Sequence, residues 1–161
     1  MSKRTIATRN DLKPKLRESM IGLLNAQLAD TLDLYTQVKQ AHWNVKGPHF
    51  IALHELYDKL AEELEDPIDD IAERVTALGG IARGTARIAA DESRLPELPL
   101  GSLDGLKLTA LLADRYAALA ASTRAAIDSA DEAGDADTAD LFTGISRALD
   151  KALWFLEAHL Q

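Results

Sequence analysis

Four long stretches of this chain carry an apolar residue at every third or fourth position, which is the spacing of one face of an α-helix. They cover residues 16–38, 50–78, about 103–132 and about 138–160. Aromatic residues make up only 5% of the chain while Ala and Leu abound, a composition that favours helices over strands. We therefore predict an all-α fold built on four amphipathic helices.

A long crossover separates the second and third helices. Residues 79–103 contain six Gly or Pro residues, and we expect only a short helix, at about 85–90, within them. Four helices with one such crossover have the topology of a ferritin-like four-helix bundle. We assign residues 14–161 to a single domain of this kind, preceded by a basic N-terminal arm at 1–13. Asp137 is predicted to cap the fourth helix.

The charge is distributed unevenly. The whole chain carries a net charge of −8, yet residues 1–17 hold six basic residues against one acid, which is +5. The rest of the chain therefore carries −13. Such an acidic body is a poor match for nucleic acid, and only the arm offers phosphate a favourable field. Whether the arm is free or folded onto the body is left open by the sequence.

Several cofactor and location classes are excluded by what the chain lacks. It has no cysteine, which rules out disulfides and thiolate metal sites. No apolar run approaches the roughly 18 residues that a membrane-spanning helix needs. No signal-peptide core follows the basic residues at the start. We expect a cytoplasmic protein without a membrane partner.

The second helix carries two pairs of metal-ligating residue types. His54 and Asp58 are four residues apart, and so are Asp69 and Glu73, so that each pair lies on one helix face. The pairs face the same way but are separated by about 16 Å along the axis, too far for one metal site. Two antiparallel copies of this helix across a two-fold axis would bring the pairs together twice. His42 could add a third ligand.

Other interpretations of these residues stay open at this point. A lone histidine is usually a surface or satisfied core residue, and acids four apart usually form a solvated face. No Glu in the chain has a His three residues later, so the intrachain di-iron motif of ferritin-like bundles is absent. That absence favours a site shared between subunits.

Five segments carry a family resemblance. They resemble the signature of Dps proteins, the bacterial miniferritins, over roughly residues 16–160. The segments are residues 39–48 (KQAHWNVKGP), 53–58 (LHELYD), 69–74 (DDIAER), 138–142 (TADLF) and 149–155 (LDKALWF). The resemblance implies a hollow homo-dodecamer with ferroxidase centres at its two-fold interfaces. Its ligand positions fall on His42, His54 and Asp58 of one subunit and on Asp69 and Glu73 of the neighbour.

The resemblance also implies an activity. Dps proteins oxidise Fe²⁺ at a two-iron site, preferably with hydrogen peroxide rather than O₂, and store the ferric product, which protects DNA and the cell from oxidative damage. No organic cofactor is implied. Trp43 corresponds to an aromatic residue beside the ferroxidase centre, or else is an ordinary interface residue. Asp131 and Asp140 correspond to the acids of a pore at the three-fold axis, or else serve helix capping and solubility.

Two functions of other classes remain as alternatives. The protein could be mainly a non-specific DNA-compacting architectural protein of the nucleoid with a minor role in iron chemistry. Lys3, Arg4 and Arg9 in the arm would then be its DNA contacts. It could also be a helical interaction module whose acids are only surface residues. The complete set of ligand residues favours the iron-oxidising cage over the interaction module, and the basic arm is the only feature that supports the DNA-compacting alternative.

Overall fold

The structure is a computed structural model and describes residues 6–161. Within that part of the chain it contains five helices and no strand. They are α1 (Pro14–Asn44), α2 (Phe50–Ala77), α3 (Ala86–Glu92), α4 (Gly105–Ala133) and α5 (Ala136–Glu157). The four long helices and the short helix in the crossover confirm the predicted ferritin-like architecture. No helix among residues 6–161 has the length and apolarity needed to cross a bilayer.

The long helices bury their predicted apolar faces in one core. The largest interhelical contacts join α1 to α2 and α4 to α5, and α1 also packs on α3 and α4. Tyr57 and Tyr116 are completely enclosed in this core. The Tyr57 hydroxyl lies 2.7 Å from Thr109 Oγ1, and the Tyr116 hydroxyl donates to the Leu60 carbonyl at 3.2 Å. These bonds satisfy the polar ends of two otherwise apolar side chains.

The start of α5 differs from the prediction. Asp135, not Asp137, is the N-cap residue, and its carboxylate accepts a hydrogen bond from the Thr138 backbone N–H. The helix therefore begins two residues earlier than expected. Asp137 lies in the first turn of α5 and is 86% exposed. The path of the turn after α4 decides which carboxylate reaches the free N–H groups at the start of α5. Because both candidates are aspartates, the residue type alone does not distinguish them.

The connection between α1 and α2 is fixed to the beginning of α4. The Lys46 N–H donates to the Leu103 carbonyl at 2.7 Å, and the Gly105 N–H donates to the Lys46 carbonyl at 3.1 Å. A Cβ on Gly105 would lie 2.5 Å from Leu53 Cδ1, so a larger residue there would require the Leu53 side chain to shift. This junction holds the end of α1 and the start of α2 together.

Buried polar groups hold the crossover against the bundle. Asp30, which is 1% exposed, accepts hydrogen bonds from the backbone and side chain of Arg94. The buried Arg115 on α4 donates to Gln37 Oε1 at 2.8 Å and to the Glu97 carbonyl at 2.6 Å. A buried guanidinium needs several acceptors to offset its lost hydration. The crossover is thus held in one position beside α1.

Candidate metal centre

His42 and His54 face each other where α1 ends and α2 begins. The Nδ1 atom of His42 lies 2.8 Å from the His54 carbonyl oxygen, and Nδ1 of His54 lies 2.8 Å from the His42 carbonyl oxygen. The rings are stacked with centroids 3.8 Å apart and an interplanar angle of 21°. The antiparallel packing of α1 on α2 produces this reciprocal arrangement.

The reciprocal bonds determine which ring nitrogen can bind a metal. A carbonyl oxygen only accepts, so both Nδ1 atoms must carry the proton. In the neutral rings the lone pair then sits on Nε2 of His42 and on Nε2 of His54. A histidine whose other nitrogen donates to a carbonyl is the usual form of a metal ligand.

Asp58 lies one helical turn beyond His54. One of its carboxylate oxygens is 3.7 Å from Nε2 of His42. The same oxygen accepts a hydrogen bond from Lys39 Nζ at 2.6 Å. The Lys39 hydrogen bond lowers the pKa of Asp58, and the hydrogen bond to Asp58 raises the pKa of Lys39. Asp58 is therefore an ionised carboxylate that is paired with an ammonium group in the single chain.

Lys39 is a site residue that the sequence analysis missed. It precedes His42 by three positions, so that the two side chains lie on one face of α1. That spacing is the signal that could have found it. Many lysines have such neighbours, however, and only the packing of α1 against α2 shows that this one reaches Asp58.

Asp69 and Glu73 lie on the second half of α2, beyond Pro67. Both residues are exposed, and within residues 6–161 neither side chain forms a hydrogen bond or an ion pair. Eleven residues separate Asp69 from Asp58, which is about 16 Å of helix. The single chain therefore does not bring the two predicted ligand pairs together. Among residues 6–161 no three His or acidic side chains converge tightly enough to hold a metal ion.

Trp43 lies beside the histidines and is 63% exposed in the single chain. Lys39 Nζ is 5.9 Å from the centroid of its ring. Trp43 lines an open hollow of about 790 Å³ between α1, α3 and the crossover, together with Tyr35, Leu95 and Leu100. A large aromatic residue exposed to this degree beside other apolar side chains is typical of a surface that another chain covers.

The predicted pore acids lie on two neighbouring helices. Asp140 on α5 lines an open hollow with Asp137 and with Asp70 and Glu73 of α2. Asp131 is exposed in the last turn of α4, where its carbonyl accepts a hydrogen bond from the Gly134 N–H. The hollow, which Arg74 also lines, thus contains both a predicted pore residue and a predicted iron ligand.

The basic arm is partly docked on the bundle. The Ile6 N–H donates to the Gly79 carbonyl at 2.8 Å, and Arg17 donates to the carbonyls of Leu12 and Leu78. Arg9 is exposed. Lys3 and Arg4, the other two predicted DNA contacts, lie outside the described residues.

Comparison with known proteins identifies the family to which this fold belongs. A family model of the ferritin-like domain matches residues 21–161. The DNA protection during starvation protein of Agrobacterium fabrum is 47% identical over 98% of this chain and 98% of its own length. DpsC from Streptomyces coelicolor has a TM-score of 0.93 at 31% identity, covering 100% of this chain and 95% of that one.

A third relative is described by its chemistry. The Dps protein of Vibrio cholerae O1, a member of a broad superfamily of ferritin-like diiron-carboxylate proteins, has a TM-score of 0.90 at 26% identity. The match covers 99% of this chain and 100% of that one. The helix order, the crossover and the matches over nearly the whole length agree, and the chain belongs to the Dps family of ferritin-like proteins.

Proposed function

We propose that the protein is a ferroxidase that oxidises Fe²⁺ at sites shared between two subunits, with hydrogen peroxide as the preferred oxidant. His42, His54 and Asp58 of one subunit and Asp69 and Glu73 of its two-fold partner bind the iron. The ferric product is stored in a hollow shell of twelve subunits. Iron is the substrate and cargo of this reaction, and no organic cofactor takes part.

The reciprocal hydrogen bonds of His42 and His54 carry this proposal. They leave both Nε2 lone pairs available, and Nε2 of His42 lies 3.7 Å from a carboxylate oxygen of Asp58. Imidazole and carboxylate groups together suit Fe²⁺. The half-site formed by His42, His54 and Asp58 has too few ligands to hold a metal ion. Within residues 6–161, Asp69 and Glu73 likewise belong to no group of three His or acidic side chains that could hold one. In an isologous dimer, the histidine half-site of each subunit meets the carboxylate pair of its partner.

The chemistry follows from the ligand types. Carboxylates are hard oxygen donors and favour Fe³⁺ over Fe²⁺, so they assist the loss of an electron. Two Fe²⁺ ions lose one electron each, and one peroxide molecule accepts both as its O–O bond breaks. With two protons the peroxide yields two water molecules. Because both electrons pass in one event, no hydroxyl radical is released.

The acidic body supports cation uptake. A net charge of −13 over residues 18–161 raises the local concentration of Fe²⁺ by electrostatic steering. Asp131 and Asp140 are the residues we assign to the uptake pore at the three-fold axis. Trp43, exposed beside the site, would be covered by the partner subunit and could take up stray oxidising equivalents.

Non-specific DNA binding by the arm is a second candidate function. It is favoured by the excess of basic residues at the N-terminus, of which Arg9, Lys13 and Lys15 are exposed. Arg17 is a weaker candidate because its guanidinium is occupied by backbone carbonyls. This activity would add nucleoid association to the iron chemistry without replacing it.

Mixed assemblies test the shared site. One variant lacks His54 and Asp58 (His54→Ala, Asp58→Ala), and the other lacks Asp69 and Glu73 (Asp69→Ala, Glu73→Ala). The variants are expressed alone and together, and oxidation of anaerobically loaded Fe²⁺ by peroxide is followed by absorbance. Native mass spectrometry gives the composition and the number of subunits.

We expect each variant alone to be inactive and the mixture to regain roughly a quarter of the wild-type rate, since one site in four is then complete at random pairing. Full activity of either variant alone would move the site elsewhere. A mixed assembly of confirmed composition that regains no activity would contradict the shared site.

A further inference from the structure

Arg74 links the end of α2 to the start of α5. It follows the proposed ligand Glu73, and its Nη2 atom donates to Asp135 Oδ1 at 2.7 Å. Its Nε atom donates to Thr138 Oγ1 at 3.0 Å. The side chains are 16% exposed for Arg74 and 2% for Asp135. The ion pair is therefore largely shielded from water, and salt and solvent screen it less than they screen a pair on the surface.

Asp135 also organises the start of α5. As the N-cap residue it accepts the Thr138 N–H at 3.1 Å, while its other oxygen accepts the Thr138 hydroxyl at 2.6 Å. A buried carboxylate that loses its cation is left with an uncompensated charge. The position of Arg74 is thus coupled to the first turn of α5, and the two helix ends are held as one unit.

The second half of α2 needs such an anchor. Pro67 lies inside the helix between Asp58 and Asp69, and since it has no N–H it cannot donate to the Glu63 carbonyl. The side chains of Asp69 and Glu73 form no hydrogen bond or ion pair within residues 6–161. Their positions therefore follow from the backbone of this segment alone. Ile71 and Val75 bury one face of it, and Arg74 is its polar attachment to α5.

We propose that Arg74, through Asp135 and Thr138, is a positioning residue for the carboxylate half of the shared iron site. This inference rests on the proposed function. Arg74 touches no iron in this scheme. It sets where Asp69 and Glu73 stand when they enter the partner's site, and it leaves the histidine half, at the opposite end of α2, unaffected.

The shared site gives this idea a directional test. In Arg74→Gln the carboxylate half is impaired and the histidine half is intact. Co-assembly with the variant that lacks His54 and Asp58 should restore activity to roughly a quarter of wild type, because that partner supplies a sound carboxylate half. Co-assembly with the variant that lacks Asp69 and Glu73 should restore nothing. A general folding defect would lower both mixtures alike.

Metal binding provides a readout that is independent of turnover. In anaerobic titrations of the full assembly we expect Arg74→Gln to weaken Fe²⁺ binding by about tenfold, the range typical for residues that orient ligands. Asp135→Asn should weaken binding to a similar degree while keeping a good N-cap, since Asn caps as well as Asp. Arg74→Lys should fall in between, because Lys keeps the charge but loses the two-pronged contact.

Arg124→Gln is the matched control. Arg124 on α4 pairs with Asp150 on α5 at 2.8 Å, another Arg–Asp contact between helices, but an exposed one far along α5. It should leave Fe²⁺ binding unchanged. If Arg74→Gln fails to assemble, Arg74→Lys and Asp135→Asn carry the same test.

Two results would overturn the inference. One is wild-type Fe²⁺ affinity in Arg74→Gln and Asp135→Asn assemblies of correct mass. The other is equal recovery, or equal failure, of the two mixtures. The reference mixture combines the variant that lacks His54 and Asp58 with the variant that lacks Asp69 and Glu73, and Arg74 is intact in both. If that mixture regains no activity, the shared site itself is refuted, so the two hypotheses are distinguished.

Discussion

His42 and His54 orient each other, because the Nδ1 atom of each ring is bonded to the backbone carbonyl of the other residue at 2.8 Å. One ring comes from α1 and the other from α2, so the same hydrogen bonds join the two helices and orient the two proposed ligands. The two Nε2 atoms are therefore presented as acceptors before any metal arrives. Such preorganisation reduces the ordering that metal binding would otherwise require.

Removing part of this half-site should abolish rapid iron oxidation. We expect the double variant His54→Ala, Asp58→Ala to lose about a hundredfold or more in rate, beyond the effect of residues that only orient ligands. The variant should still assemble, and native mass spectrometry checks this. Stopped-flow absorbance after peroxide addition measures the rate. Glu63→Gln is the control, because Glu63 pairs with Lys59 on a different face of α2 and should change little.

Lys39 should compete with Fe²⁺ for Asp58. Replacing it by Gln frees the carboxylate, and because the pair is partly exposed we expect Fe²⁺ affinity to rise by only about two- to fivefold. Lys59→Gln removes a positive charge on α2 that does not touch Asp58, and it should leave the affinity unchanged. Anaerobic calorimetry provides the measurement. Weaker binding in Lys39→Gln would mean that Lys39 supports the site.

The effect of Lys39→Gln should be independent of pH across the neutral range. The pKa of Asp58 lies below 3.8, so its charge is lost only as pH falls through that lowered value. The pKa of Lys39 lies above 10.5, so its charge is lost only as pH rises through that raised value. The pair is therefore intact from about pH 5 to 9. A Lys39-dependent change in affinity that titrates within this range would contradict the ion pair.

Gly79 should control the docking of the arm. Its φ is +83°, and an added Cβ would lie 2.5 Å from the Ile6 carbonyl oxygen. We expect Gly79→Ala to destabilise the fold by about 1 kcal/mol or more and to speed tryptic cleavage after Arg9. Gly144→Ala should instead stabilise by about 0.5–1 kcal/mol, since that helical glycine has open space around it. Thermal unfolding and mass spectrometry of the digests measure both effects. Wild-type cleavage of Gly79→Ala would show that docking does not protect the arm.

DNA binding, if the arm provides it, should depend steeply on salt. Each phosphate contact contributes a slope of about −0.9 to the dependence of log K on log salt concentration. Replacing Lys3, Arg4 and Arg9 by Gln should weaken binding at low salt and flatten this slope. A second variant loses three exposed basic residues outside the arm, Arg87, Lys107 and Arg147. It tests whether a change in net charge alone weakens DNA binding. Gel shifts across a salt series give both quantities. If the arm substitutions leave DNA binding unchanged, the arm is not the contact. If the protein does not bind DNA even at low salt, iron chemistry is the only proposed function that remains.

The sequence alone predicts the helices and the two pairs of proposed ligand residues. An amphipathic helix is encoded in local spacing, so the apolar periodicity located all four long helices, while the Gly and Pro residues of the crossover left room for only a short one. Helix geometry is regular enough that spacing also placed His54 with Asp58 and Asp69 with Glu73, and kept the pairs about 16 Å apart. These deductions needed no knowledge of how the helices pack.

The contacts between elements become visible once the helices are packed. Lys39 reaches Asp58, and Arg74 reaches Asp135, because of the register in which α1, α2 and α5 pack. The choice of Asp135 over Asp137 as N-cap likewise depends on the path of the turn after α4. These contacts join residues 19 and 61 positions apart, and such distant pairs leave no periodic trace in the sequence. Their geometry arises only when the buried faces of different helices meet.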